Sequence, residues 1–340
     1  MPTHPFQPLK GEIRTITIDS IALQGNLCGD PTSRTVEVYL PPNWQKLEDI
    51  PLFVDLVGFT GSGPAHTNWK PFQERLPQRV ERLIEEGVMG PIAIAFPDCF
   101  TSLGGNQYVD SIATGNWATY LIAEMLPTIE KEFSIGGSFE KRALFGKSSG
   151  GFGAIYHAMN YPNVWGAIAC HSGDMGWDRL FLGDFPKAVM AIEKHGGYSG
   201  FFEHIEKSTK LRGEDFHTLM TLAMGASYNP DENNPKGVSL PVNLRTSVID
   251  ENAWKKWLAF DPVVMIENKE IQANLNLLKG LFIDCGDIDQ YNIQFGTRQL
   301  ADRLKELDIE HTHEEFNGTH SSIDYRMDTS LPFLYQALKK

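Results

Sequence analysis

The chain has 340 residues, 41% hydrophobic and 21% charged, which is enough apolar material for a sizeable core and too much for a disordered chain. A formal net charge of −13 argues against a nucleic-acid partner and gives no support for attachment to an anionic membrane. No stretch approaches the ~18 apolar residues of a membrane span. The polar start Met1-Pro2-Thr3-His4-Pro5 also lacks the apolar run of a secretory signal, so a cytoplasmic location is expected.

In chain order, Ile13–Ile18 and Thr35–Leu40 alternate with period two and read as half-buried strands, expected to lie antiparallel at a sheet edge. Pro51–Val57 is more continuously apolar, as expected of a strand covered on both faces, and a glycine-rich loop, Gly58 to Gly63, follows it. A helical pattern from about Phe72 to Glu86 precedes a second buried strand, Pro91–Phe96. A long polar loop, Asp98 to Asn116, leads to a helix over Trp117–Phe133 that Pro127 should kink or divide.

Arg142–Phe145 reads as a strand, Gly153–Asn160 as a helix and Val164–Cys170 as another strand. This alternation predicts a mostly parallel sheet with helices on both faces. It breaks at about Gly173, after which come short helical pieces such as Phe185–His195 and His217–Met224. An interruption of that length points to a cap over a site. The rhythm resumes with strands at Gly280–Gly286 and Ile309–Phe316, and a terminal helix includes Leu331–Leu338. Cys28, Cys99, Cys170 and Cys285 lack C-x-x-C spacing and read as buried free thiols.

The chain is organised around Gly146-Lys147-Ser148-Ser149-Gly150, which fits the G-x-S-x-G nucleophile elbow. A phosphate loop ending in Gly-Lys-Ser would need a glycine five residues before Gly146. Lys141 stands there, so that reading fails. A serine hydroxyl is a weak nucleophile until a histidine takes its proton, and a carboxylate must hold that histidine in the right tautomer. In elbow proteins the order is Ser…Asp/Glu…His, with the partners in loops after late strands. Asp287 and Asp289 follow one such strand, and His320 follows the last.

The oxyanion donors expected are the backbone N–H of Ser149 and one from Phe59 or Thr60, beside Gly58. Lys147 either recognises an acidic substrate group or simply faces solvent. Trp117 and Glu124 either line or buttress the site, or belong to core and surface. His311, His313 and Glu315 share one strand face, but no further ligand is evident and a solvated edge strand accounts for them. No cofactor is called for.

On Tyr39-Leu40-Pro41-Pro42, Gly58-Phe59-Thr60-Gly61, the elbow with its Gly-Phe-Gly, Cys285-Gly-Asp-Ile-Asp289 and Gly-Thr-His320, the chain resembles the esterase D-like "putative esterase" branch of α/β-hydrolases. That branch includes S-formylglutathione hydrolases, feruloyl-type esterases and mycolyltransferases. The resemblance covers roughly residues 35–175 and 255–325. It implies an α/β-hydrolase domain over residues 1–340 with residues 174–262 inserted as a cap. It also implies a serine esterase for small ester or thioester substrates, with Asp289 rather than Asp287 as the acid. The chain departs from the pattern in having Val57 where His usually precedes the glycine, and Lys147 where Leu or His is common. Acyl transfer to an alcohol or sugar, and a catalytically silent binding protein, are the alternatives; the segment after Gly173 and the loop from Asp98 to Asn116 are expected to decide the substrate.

Overall fold

A computed structural model describes residues 5–340; the polar start read at Met1–His4 lies outside them. The eight-stranded sheet has the spatial order β1-β2-β4-β3-β7-β8-β9-β10. Here β1 is Glu12–Asp19, β2 Ser33–Leu40, β3 Leu52–Leu56, β4 Ala93–Pro97, β7 Arg142–Lys147, β8 Ala167–His171, β9 Gly280–Gly286 and β10 Thr312–Phe316. A two-stranded hairpin, β5 (Asp110–Ser111) and β6 (Gly115–Asn116), stands apart from it.

The two alternating N-terminal segments pair antiparallel, from Glu12 opposite Leu40 to Asp19 opposite Ser33, and β2 pairs antiparallel with β4. From β4 to β10 every neighbouring pair is parallel. Strand β3 lies between β4 and β7, so the chain leaves β3 toward one edge and β7 toward the other. The carboxyl ends of β3 and β7 therefore flank a topological switch point, the place where open α/β sheets form a crevice.

The continuously apolar strands are buried on both faces, and alternate residues serve different layers. Val54 and Leu144 join the core beneath the helices at Trp117–Phe133 and Ser149–Asn160. Phe53 and Phe145 join the opposite core, with the Leu76–Glu85 and Met327–Lys339 helices. The predicted helix over Trp117–Phe133 is divided: Tyr120–Met125 is a π-helical stretch, and α-helix resumes at Leu126–Phe133. Pro127 has no N–H to offer the preceding turn, and the wider π turn accommodates the missing bond. Strand β8 starts at Ala167, later than the apolar run suggested, because Asn163 takes a positive φ of 63° and turns the chain first.

Between β8 and β9 the chain folds into helices, of which Phe185–Lys194, Tyr198–Lys207, Gly213–Tyr228 and Glu251–Leu258 have eight or more residues. They enclose an aromatic cluster that includes Trp177, Phe181, Tyr228 and Trp257, and Trp177 lies over Tyr228 with ring centroids 4.3 Å apart. Phe152, on the helix leaving the elbow, reaches into this cluster, 5.9 Å from Tyr228. The whole segment is thereby seated on the carboxyl end of the sheet. All four cysteines are buried and free, and no helix among the described residues is long and apolar enough to cross a membrane.

Candidate active site

One residue, Ser148, separates β7 from the Ser149–Asn160 helix, and it adopts φ 58°, ψ −125°. A non-glycine residue there is strained by about 1–3 kcal/mol, and the surroundings must hold it in place. Two backbone bonds do so: Ser148 N–H donates to His171 O at 2.9 Å, and Phe152 N–H to Ser148 O at 2.8 Å. Strand β3 closes in from the side. A Cβ on residue 150 would lie 1.8 Å from Leu56 O, so only glycine fits that turn of the elbow.

The loops after β9 and β10 meet beside this turn. His320 Nδ1 lies 2.7 Å from Asp289 Oδ2, and both side chains are buried. Asp289 Oδ1 accepts from Tyr291 N–H at 2.8 Å, and the Tyr291 ring stands edge-on to the imidazole at 4.9 Å. Asp287 does different work: its Oδ1 accepts from Gly318 N–H at 3.0 Å, tying the two loops together. His320 N–H donates to Gln290 Oε1, also at 3.0 Å.

The Gly58–Gly63 loop passes close to the serine, and a Cβ on Gly58 would stand 3.2 Å from Ser148 Cβ. Neither Phe59 N–H nor Ser149 N–H bonds any described residue, and Ser149 opens a helix whose dipole favours negative charge at that end. The long loop at Asp98–Asn116 does not line the cleft, against the expectation that it helps choose the substrate. It is largely buried and braces the site from behind. Gly105 N–H donates to Phe59 O at 2.7 Å, Tyr108 OH to Val57 O at 2.6 Å, and Gln107 Nε2 to Ser149 Oγ at 2.7 Å.

Ser148 and His320 open into a cleft of about 570 Å³. One wall, from the segment between β8 and β9, is apolar: Leu180, Phe181, Phe216, Met220 and Met224. Phe216 also meets Phe59 edge-on at 5.7 Å. The other wall is polar, with Lys147, His66, Lys70, Gln73 and Asp324. Lys147 is half-buried, and burial lowers its pKa while the charge of Asp324 works the other way. Burial also pulls the His66 imidazolium down, but the Asp55 carboxylate bonded to it outweighs this and raises its pKa.

Asp174 is a residue that sequence reasoning missed. It lines the cleft from a buried position and accepts from Ser149 Oγ at 3.3 Å. Burial pushes its carboxyl up to about 6, against the pull of His320 and the Ser149 and Ser148 hydroxyls. Its one sequence signal was its place, four residues past Cys170 at the end of a buried strand.

Of the other candidates, Gly58 and Thr60 line the cleft and Trp117 does not. Trp117 is fully buried in the core, where its indole N–H donates to Thr114 O at 2.8 Å and the Arg34 guanidinium lies 5.0 Å over its ring. Glu124 is also away from the cleft and accepts from the N–H groups of Ile21 and Ala22, each at 3.0 Å. The His311, His313, Glu315 face forms no ligand cluster: Glu315 pairs with Arg298, and His311 Nδ1 donates to Ile309 O. His195, His204 and Asp215 do come together, but the two imidazoles stack at 4.0 Å and 15°. Near-parallel, offset rings cannot both hold one ion in their planes.

A strained serine between β7 and a helix, at the switch point of this sheet, defines an α/β-hydrolase. Residues 31–329 match the family described as "Putative esterase", and the chain belongs to that family. "Esterase Rv1288" of Mycobacterium tuberculosis is 35% identical over 97 residues, which is 27% of this chain and 20% of that protein's length. Among solved structures, a ferulic acid esterase superposes with a TM-score of 0.63 at 17% identity, covering 97% of this chain and 100% of the other. An S-formylglutathione hydrolase from Agrobacterium tumefaciens gives 0.58 at 16% identity, covering 98% and 97%. These structural likenesses establish the fold.

Proposed function

We propose that this chain hydrolyses carboxylic esters or thioesters through an acyl-enzyme on Ser148. His320 takes the Ser148 proton as the hydroxyl attacks the carbonyl carbon, and Asp289 holds the imidazole so that Nε2 faces the serine. The carbonyl oxygen gathers negative charge against the N–H groups of Phe59 and Ser149. His320 then returns the proton to the leaving alcohol or thiol. Water then attacks the acyl-serine as His320 takes its proton, and His320 passes that proton to Ser148 Oγ as the bond to the acyl carbon breaks and the acid leaves.

The observation that carries this reading is the 2.7 Å bond between His320 Nδ1 and Asp289 Oδ2 at the cleft that holds the strained Ser148. A bond at Nδ1 leaves Nε2 as the basic nitrogen. Residues 174–262 serve as a cap in this reading, and their apolar wall fits an ester with an aryl or branched hydrocarbon part. Relatives named as ferulic acid esterase and S-formylglutathione hydrolase support an ester or thioester substrate without choosing between them.

The test is Ser148→Ala assayed on a short 4-nitrophenyl ester, with mass spectrometry of the native protein after a fluorophosphonate. Turnover is expected to fall about a thousandfold or more, and the adduct to map to Ser148. Unchanged turnover in the variant overturns the assignment.

A further inference from the structure

Lys147 precedes the nucleophile, lines the cleft and is half-buried, yet among the described residues its ammonium has no hydrogen-bond or ion-pair partner. Some surface lysines are paired, as Lys10 is with Glu85 and Lys187 with Asp184, and the rest are served by water, from which Lys147 is partly withdrawn. A cation drawn partly out of water without a partner carries a desolvation cost that an incoming anion removes. The neighbourhood points the same way. Lys70 lines the same wall 4.0 Å from Asp324, and His66, bonded to the Asp55 carboxylate, stands on it too. Lys70 and His66 each face a carboxylate, so among the described residues Lys147 is the cation on this wall left without one at ion-pair distance.

From this we infer that the enzyme is selective for esters whose acyl or leaving part carries a carboxylate, bound by Lys147 with Lys70 and His66 beside it. The proposal rests on the ester-hydrolase reading above and names its substrate class. The cleft orients such a substrate. Its apolar part lies against Phe181, Phe216 and Met224, where Asp174 repels an anion, and its carboxylate lies on the lysine side. Burial lowers the Lys147 pKa, and a bound carboxylate would restore it by stabilising the charged form.

Two matched substrate pairs test this. 4-Nitrophenyl hydrogen adipate and its methyl ester place the carboxylate on the acyl side; 4-acetoxybenzoate and its methyl ester place it on the leaving side. At low salt the native enzyme should favour the acid in one pair by about tenfold in kcat/KM, as a charge-assisted hydrogen bond supplies. The preference should shrink as potassium chloride is added. Lys147→Met should bring the ratio to near one, and Lys147→Arg should keep most of it. Equal kcat/KM for acid and methyl ester in both pairs, or an unchanged ratio in Lys147→Met, overturns the proposal and leaves the esterase reading standing. Hydrolysis of none of the four by the native protein overturns the esterase reading, and this one with it.

Discussion

Tyr228 OH donates to Gln107 Oε1 at 2.9 Å, linking the helical segment above the cleft to the loop beneath it. Gln107 passes the connection on to Ser149 Oγ, and Ser149 to Asp174, so four buried polar side chains run from the aromatic cluster to the residue after Ser148. Buried polar chains of this kind fix geometry because each member left unpaired is expensive. The conformation of the elbow and the seating of the segment over it are therefore a single problem for the fold.

Asp174 ends that chain, and its carboxyl sits at about 6 because it is buried. The folded-state value lies above the ordinary 3.8 of an unfolded chain, so the native state binds the proton more tightly. The sign follows: the stability associated with this group is complete below about pH 4 and is lost as pH rises through about 6. Asp174→Asn removes the charge and keeps an acceptor for Ser149. The variant should melt a few degrees above the native protein at pH 8, with the gap closing at pH 5 and below. Thermal melts at several pH values check it, and a gap independent of pH would count against a buried, titrating Asp174.

Tyr228→Phe leaves Gln107 Oε1 buried without a donor. Stability should fall by about 1–3 kcal/mol, the cost of one orphaned acceptor. Because the lost bond is relayed to Ser149, kcat should also fall, by about tenfold, with KM nearly unchanged. Denaturant melts and steady-state kinetics separate the two effects. A loss of stability with native kcat would reduce Tyr228 to packing.

Much of this was legible in the residues. Alternation at Thr35–Leu40 and continuous apolarity at Pro51–Val57 marked edge and central strands, because burial on one face or two leaves different periods. Ser148 was legible because the elbow needs glycines at fixed spacing. Trp117 misled because an aromatic after a polar loop looks the same in sequence whether it faces a cleft or a core; only the position of Arg34 and Thr114 decides. The Asp98–Asn116 loop misled for a related reason. Its Tyr108 hydroxyl and Gly105 N–H satisfy the carbonyls of Val57 and Phe59, and such long-range pairing has no local period. Asp174 went unseen because its partners, Ser149 and His320, are brought to it by tertiary contacts alone.

Asp289 and Asp287 stand two residues apart with different partners, an imidazole and a backbone N–H. Asp289→Asn offers His320 the wrong tautomer and should cost kcat about 10⁴-fold. Asp287→Asn weakens only the brace to Gly318 and should cost less than tenfold, with stability lower by about 1 kcal/mol. Kinetics on one ester for both variants, beside their melts, read this directly. A larger loss in Asp287→Asn would reverse the roles.

Gly105 tests the brace behind the proposed oxyanion donors, Phe59 and Ser149. A Cβ there would stand 2.4 Å from Phe59 O and 2.5 Å from Phe59 Cα, and both are backbone atoms that cannot swing aside. Gly105→Ala must push the Phe59 peptide toward the cleft or break the 2.7 Å bond from Gly105 N–H to Phe59 O. Either movement turns the Phe59 N–H from the position proposed for it at the carbonyl oxygen. Loss of one such donor costs about 10²–10³-fold in kcat, so a fall of that order is expected, with little change in KM because ground-state binding uses the rest of the cleft. Circular dichroism and a melt show whether the variant is folded at the assay temperature. The fluorophosphonate rate gives a second readout, since phosphonylation of Ser148 draws on the same donors and should slow in parallel. A folded Gly105→Ala with native kcat and native labelling would remove Phe59 from the oxyanion site and leave Thr60, the other donor on that loop, to be tested next.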